Sequence, residues 1–162
     1  MTSQPNEPAD AGAAADAAAE RRRIHEVFRR AAFVSHLGIA LADFGPGWAE
    51  TTLAVEPRHA QAEGIVHGGV QSTMADHTAG AAATTLIAAD QVVLTLEFKV
   101  NLLQAARGDR LRCRSKVLKP GRSYVVALSE VFCGPAESEK LVAVSTVTMA
   151  IVPDPLRRPP VG

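Results

Sequence analysis

From Thr95 onward the stretch "VVLTLEFKVNLL" alternates cleanly. Val92, Leu94, Leu96, Phe98, Val100 and Leu102 are apolar, while Thr95, Glu97, Lys99 and Asn101 are polar. A period of two predicts a β-strand with one wetted face, and it puts Thr95 on the wet side. "DRLRCRSKVL" repeats the pattern, with Leu111, Cys113 and Val117 set against Arg110, Arg112, Arg114 and Lys116. Pro120-Gly121 reads as a tight turn. "SYVVALSEVFC" and "KLVAVSTVTMAIV" give two further strands, joined through Gly134-Pro135. Upstream, "LADFGPGWAETTLAVEP" predicts a hairpin that turns at Gly45-Pro46-Gly47, with a strand from Trp48 to Val55.

Two stretches follow the helical period instead. In "ERRRIHEVFRRAAFVSHLG", Ile24, Val27, Phe28, Ala31 and Val34 recur at helical spacing and Gly38 is the expected stop. Arg21, Arg22, Arg23, Arg29 and Arg30 fall mostly off that stripe and read as a solvated face. The second helix is expected from about Gly69 to Ala88. Nearly every side of it is apolar or small, so it should be surrounded rather than lie on a surface. The order is helix, hairpin, buried helix, then four strands able to pair in succession through short turns. This predicts an α+β fold of five or six strands, its long helix held in the concave face of a curved antiparallel sheet.

With 162 residues the chain is expected to form one domain, over residues 21–152. Residues 1–20, rich in Ala, Gly, Pro and acids, are expected to be an irregular, disordered tail, and the proline-rich residues 153–162 a second one. Lys+Arg and Asp+Glu both number 17, and this balance removes the electrostatic case for a nucleic-acid partner. The N-terminus lacks the basic and apolar regions of a secretory signal. No apolar run is long enough to span a bilayer, so no membrane partner is expected and the cytoplasm is the expected location. Cys113 and Cys133 lie in alternating strands and are expected as buried free thiols.

Candidate chemistry concentrates in "GIVHGGVQSTMAD". The chain has no G-x-S-x-G, P-loop, H-E-x-x-H or C-x-x-C. His67, Asp76 and His77 have the wrong spacing for a metal site, since neighbouring helical residues point about 100° apart. Gly68 and Gly69 open the helix, where N–H groups lack intrahelical partners and the dipole is positive. That arrangement suits a developing oxyanion; a plain tight turn is the alternative. Asp76 lies two turns further on. A carboxylate there can serve as a base or nucleophile, or be a structural acid satisfied by an arginine. Along a helix axis Gly68 and Asp76 are ~10–13 Å apart, too far to act on one carbonyl. A second chain could supply the missing partner, which suggests a dimer with two composite sites.

The motif "GIVHGGVQSTMAD", the small-residue helix after it, "VVLTLEFKVNLLQAARGD" and "KPGRS" together resemble the hotdog-fold acyl-CoA thioesterases, in particular the PaaI-like (phenylacetate-pathway) branch. The resemblance covers roughly residues 37–151. It implies acyl-CoA as substrate, no cofactor (CoA is part of the substrate), and a homodimer further assembled into a tetramer. It also implies roles. Gly68 would supply the oxyanion-hole N–H, and Asp76 of the opposite subunit the catalytic carboxylate. His67 would orient the loop or touch the carbonyl. Gln61 would hold the water or the thioester, and it stands where many of that branch carry asparagine. Thr95 would help place the water. Gly69 and Arg122 are candidate CoA contacts, with Arg110, Arg112, Arg114 and Lys116 as further candidates for its phosphates.

Two other hotdog activities fit parts of the pattern. A hydroxyacyl dehydratase would pair a histidine, here His77, with an acid. A non-catalytic acyl-CoA sensor would carry a DNA-binding segment, for which "RRRIHEVFRR" is too short. A structural dimer that has lost activity is the remaining reading.

Overall fold

The computed structural model describes residues 9–155, with side chains from residue 18 onward. The expectations for residues 1–8 and 156–162 therefore lie outside the described residues. Helices α1 (Ala9–Arg29) and α2 (Ala32–Leu37) come first, then strands β1 (Ala40–Gly45) and β2 (Trp48–Ala54). Helix α3 (Gly68–Thr84) precedes β3 (Gln91–Leu102), β4 (Arg110–Lys119), β5 (Tyr124–Cys133) and β6 (Lys140–Pro153). The α+β class and six-stranded antiparallel sheet agree with the expectation. Among the described residues no helix is long and apolar enough to cross a membrane.

The sheet wraps α3. Met74, Ala75, Ala79, Ala82 and Ala83 are fully buried, as are the facing residues Ala49, Leu111, Cys113, Ala127, Val147 and Met149. Alanine lets the strands approach the helix closely, which is why its sides look uniformly small in sequence. Its hydroxyls do not forbid burial. Ser72, Thr73, Thr78 and Thr84 each donate to the carbonyl four residues back. Thr78 also meets Thr51 of β2 at 2.7 Å, and Ser129 of β5 donates to the Ala75 carbonyl at 2.7 Å. These bonds satisfy buried polar groups and fix the helix against two strands. Cys113 and Cys133 are free and buried.

Four details differ from the sequence reading. First, α1 begins at Ala9, inside the segment expected to be irregular; the alanine run there has the highest helix propensity. Second, that helix ends at Arg29 and restarts at Ala32, because Ala31 takes ψ 87°. The stop at Gly38 is where expected, in the left-handed conformation with φ 82°. Third, α3 ends at Thr84. The Thr85 hydroxyl donates to the Ala82 carbonyl and accepts from Gly47 N–H in the β1–β2 turn, which ties off the helix.

The fourth concerns β3. The sheet order is β1-β2-β4-β5-β6-β3, so β3 does not pair with β4 but crosses to the far edge beside β6. The seven residues between β3 and β4 are too many for a tight turn, and they bury Ala106, whose carbonyl accepts from Val66 N–H. A β-bulge between Thr95 and Glu97 also shifts the register. Before it, Thr95 lies opposite buried Met149; after it, Phe98 lies opposite buried Val147 and Val100 opposite buried Ser145. Directly paired residues share a face, so the inward parity changes from odd to even at Leu96. Thr95 therefore faces α3, although at this sheet edge it remains exposed.

Candidate active site

The loop before α3 is tied down before any ligand arrives. His59 is fully buried; its Nε2 bonds the Leu37 carbonyl and its Nδ1 accepts from Glu56 N–H. The His59 carbonyl in turn accepts from His67 N–H at 2.8 Å, and Gln61 N–H donates to the Ile65 carbonyl. Inside the fold, Gln71 (3% exposed) donates from Nε2 to the Val66 carbonyl at 3.1 Å and braces the same loop from below. Its Oε1 is buried with no partner among the described residues.

His67 is the N-cap of α3, and its Nδ1 accepts from Gly69 N–H at 2.9 Å. A ring that accepts at Nδ1 keeps its proton on Nε2, so the exposed imidazole still presents one donor. The Gly69 N–H is consumed by this cap. The Gly68 N–H makes no hydrogen bond among the described residues. Of the glycine pair, Gly68 thus holds the donor free to meet an acceptor, at the positive end of the α3 dipole. Both glycines sit in tight quarters. A Cβ on Gly68 would come within 2.9 Å of Leu102 Cδ1, and one on Gly69 within 2.9 Å of His67 Nδ1.

Asp76 is half-buried two turns along α3, and its Oδ1 accepts from the Thr95 hydroxyl at 2.8 Å. Its partner is a hydroxyl and not an arginine, so the structural-acid alternative lacks the ion pair it called for. The β3 bulge is what aims Thr95 at the helix. Both side chains open onto a cleft of about 140 Å³, whose other walls include Ile24, Val27 and Phe28 of α1. His77 lines that cleft too, its ring 4.5 Å from that of Phe28 and its Nε2 buried with no partner among the described residues. Burial lowers the His77 pKa, opposed by the Phe28 backbone and the Asp76 charge.

Gln61 and Gly68 line a different cleft, together with Leu102, Leu103, Gln104 and Gln71. Within one protomer the expected residues thus form two groups. Gln61, His67, Gly68 and Gly69 gather at the start of α3, and Asp76 with Thr95 gathers further along it. Arg122 sits exposed in the β4–β5 turn and lines neither cleft. Arg110, Arg112, Arg114 and Lys116 alternate with inward-facing Leu111, Cys113 and Ser115, so they occupy the sheet face away from α3. Arg112 is fully engaged there by Glu50 and Glu139 over the Phe132 ring.

Sequence reasoning missed Gln71 and the α1 wall. The i, i+4 spacing of His67 and Gln71 was one signal. The stripe Ile24, Val27, Phe28 was another, read only as the apolar face of a helix.

Residues 63–140 match the thioesterase superfamily. The 1,4-dihydroxy-2-naphthoyl-CoA hydrolase of Escherichia coli is 30% identical over 119 residues, or 74% of this chain and 85% of that protein. Among solved structures, a thioesterase family protein from Silicibacter pomeroyi superposes with a TM-score of 0.80 at 31% identity, covering 83% of this chain and 99% of that one. A thioesterase from Haemophilus influenzae gives a TM-score of 0.72 at 28% identity, covering 80% and 88%.

Proposed function

This chain belongs to the thioesterase superfamily and has its hotdog fold; from that premise we propose that it hydrolyses acyl-CoA thioesters at sites shared between two copies of itself. Thioester hydrolysis is the chemistry of the family. The acyl-CoA substrate, the Asp76 carboxylate and the dimer are our reading. Nine positions from His67 to the acid support membership of the PaaI-like branch.

One observation carries the composite site. Strand β3 is a sheet edge that touches both half-sites, with Thr95 bonded to Asp76 near one end and Leu102 packed against Gly68 at the other. It also exposes Leu94 (55%), Leu96 (59%) and Phe98 (43%). A long apolar edge invites a second strand. An isologous pair of β3 strands running antiparallel would set the Asp76 end of each copy beside the Gly68 end of the other. The distance that separates the groups within one protomer is then no obstacle.

In such a site the thioester oxygen accepts from Gly68 N–H, and the helix dipole supports the charge that develops on it. His67, fixed by its cap, holds the loop and offers Nε2–H. Asp76, held by Thr95, either takes a proton from the attacking water or attacks the carbonyl itself to give an anhydride that water opens. By either route the C–S bond breaks, the acid leaves with the water oxygen in the final balance, and CoA leaves as the thiol. CoA is consumed as substrate, and no cofactor is required.

Thiol release from acyl-CoA esters tests this reading. Asp76→Ala is expected to lower kcat by at least ~10²-fold with folding intact, the scale of a positioned catalytic group. Sharing of the site is tested by mixing Asp76→Ala with Gly68→Pro, which removes the proposed donor. Hybrid dimers regain one intact site, so activity should return to about a quarter of wild type after full exchange. A mixture that forms hybrids and stays inactive rules out the shared site. Undiminished turnover by Asp76→Ala rules out the carboxylate.

A further inference from the structure

The cleft at Asp76 takes much of its apolar wall from α1. Ile24 (2% exposed) and Phe28 (7%) are buried against the domain, and half-buried Val27 lies on the same stripe. Ala81, Val92 and Val93 add to the apolar lining; Asp76 and Thr95 supply polar groups, as do His77, Thr84 and Gln91. The helix is fastened over the cleft at both sides. Arg23, itself paired with Glu20, donates from Nη2 to the Thr84 carbonyl at 2.9 Å, capping an unpartnered C-terminal carbonyl of α3. The Phe28 ring rests on His77.

We propose that α1 is the end wall of an acyl chamber, and that Val27 and Phe28 determine the size of the acyl group the enzyme accepts. This rests on the assignment of Asp76 as the catalytic carboxylate, since the thioester carbonyl must then lie beside Asp76, which leaves the remainder of the cleft, walled by α1, to the acyl group. The volume sets the limit. An apolar cavity of about 150 Å³ accommodates benzene, so a chamber of about 140 Å³ takes one six-membered ring or a chain of about five or six carbons. Longer chains meet the Phe28 ring, which is buried and packed on His77, on a helix that Arg23 ties to α3. The stripe at 24, 27 and 28 therefore serves recognition as well as packing.

The test uses the full chain and two readouts. The first is kcat/KM by thiol release along a saturated series from acetyl-CoA to dodecanoyl-CoA, with benzoyl-CoA beside it. The second is binding of the matching S-alkyl-CoA thioethers, which cannot be hydrolysed. Both should peak near hexanoyl and fall at least about tenfold by dodecanoyl, because the added methylenes must force the packed wall aside. Val27→Phe should lower the ratio of hexanoyl to acetyl kcat/KM at least about tenfold by filling the chamber. Phe28→Ala, if it folds, should move the fall to longer chains. A flat wild-type profile, or a Val27→Phe selectivity equal to wild type, overturns the proposal. If thioethers bind with the expected length profile but no ester turns over, the hydrolase reading fails and the wall stands. If no thioether binds, the wall fails as well.

Discussion

Gly68→Pro isolates a single N–H. Gly68 is the first residue of α3, a position where proline is favoured because its N–H has no helical partner. His67 already has φ −59° and ψ 137°, the extended conformation that a following proline imposes. The Gly68 N–H bonds nothing else among the described residues, so its removal orphans no acceptor in the fold. The new Cβ would lie 2.9 Å from Leu102 Cδ1, and the ring places Cδ where the N–H pointed. Leu102 is 55% exposed and its terminal methyl can swing aside. Gly68→Ala carries the same Cβ and keeps the N–H, so the ratio of the two variants cancels the Cβ clash and leaves the exchange of that N–H for a ring carbon. If that N–H polarises the thioester, kcat/KM for Gly68→Pro should fall ~10²–10³-fold below Gly68→Ala, the loss of one oxyanion-hole donor worth about 2.7–4 kcal/mol. Thermal unfolding should be nearly the same for both. Thiol release under matched conditions, with melting curves, measures each quantity. Equal activity of the proline and alanine variants, both folded, would refute the oxyanion role of Gly68.

Thr95→Val keeps the shape and strand preference of the side chain but deletes the bond to Asp76. A charge-assisted hydrogen bond at a half-open site contributes about 1.5 kcal/mol, so kcat should fall about tenfold with KM nearly unchanged, and Thr95→Ser should restore it. Burial holds the His77 pKa below its ordinary value. The unfolded chain therefore binds that proton first, and His77 contributes stability that is full above about pH 6.5 and is lost as pH falls towards its folded pKa. Melting from about pH 7.5 down to about pH 5 should show a steeper loss for wild type than for His77→Gln, with a difference in slope no greater than about 1.4 kcal/mol per pH unit. Burial pushes the Cys113 thiol up to about 12 and raises that of Cys133. Neither should react with an aromatic disulfide reagent in the native protein at neutral pH, and both should react after unfolding. Rapid native labelling would contradict their burial.

Much of this molecule is legible in its sequence because the signals are local. The hairpin, the stop at Gly38 and the all-round burial of α3 follow from turn residues and from which side chains are large. The H-G-G opening and the acid two turns later can be placed on one helix by spacing alone. What such reading misses is non-local. Gln71 looks like any polar helical residue until Val66 folds beneath it. The β4 arginines look like phosphate ligands until the inward parity of Leu111, Cys113 and Ser115 sends them to the opposite face. The wall made by Ile24, Val27 and Phe28 is indistinguishable from a core stripe, because both bury apolar surface at helical spacing.

Strand β3 shows why one such miss matters for function. Its alternation predicts a single apolar face, and a regular strand would keep Thr95 away from α3. The bulge at Leu96 costs one ladder position and reverses the parity, so that Thr95 faces inward before it and Phe98 and Val100 face inward after it. Leu94 and Leu96 are left exposed as a result, on the edge that the composite-site reading gives to a second copy. The same irregularity thus delivers the hydroxyl to Asp76 and leaves the edge apolar. Deleting Leu96 removes the extra residue itself and leaves Thr95 opposite Met149 and Phe98 opposite Val147, so the Thr95–Asp76 bond should survive while the edge loses one exposed leucine. Dimerisation should then weaken, and kcat should return to near wild type once protein concentration restores the dimer. ΔLeu96 dimers that stay inactive would break this account of the bulge.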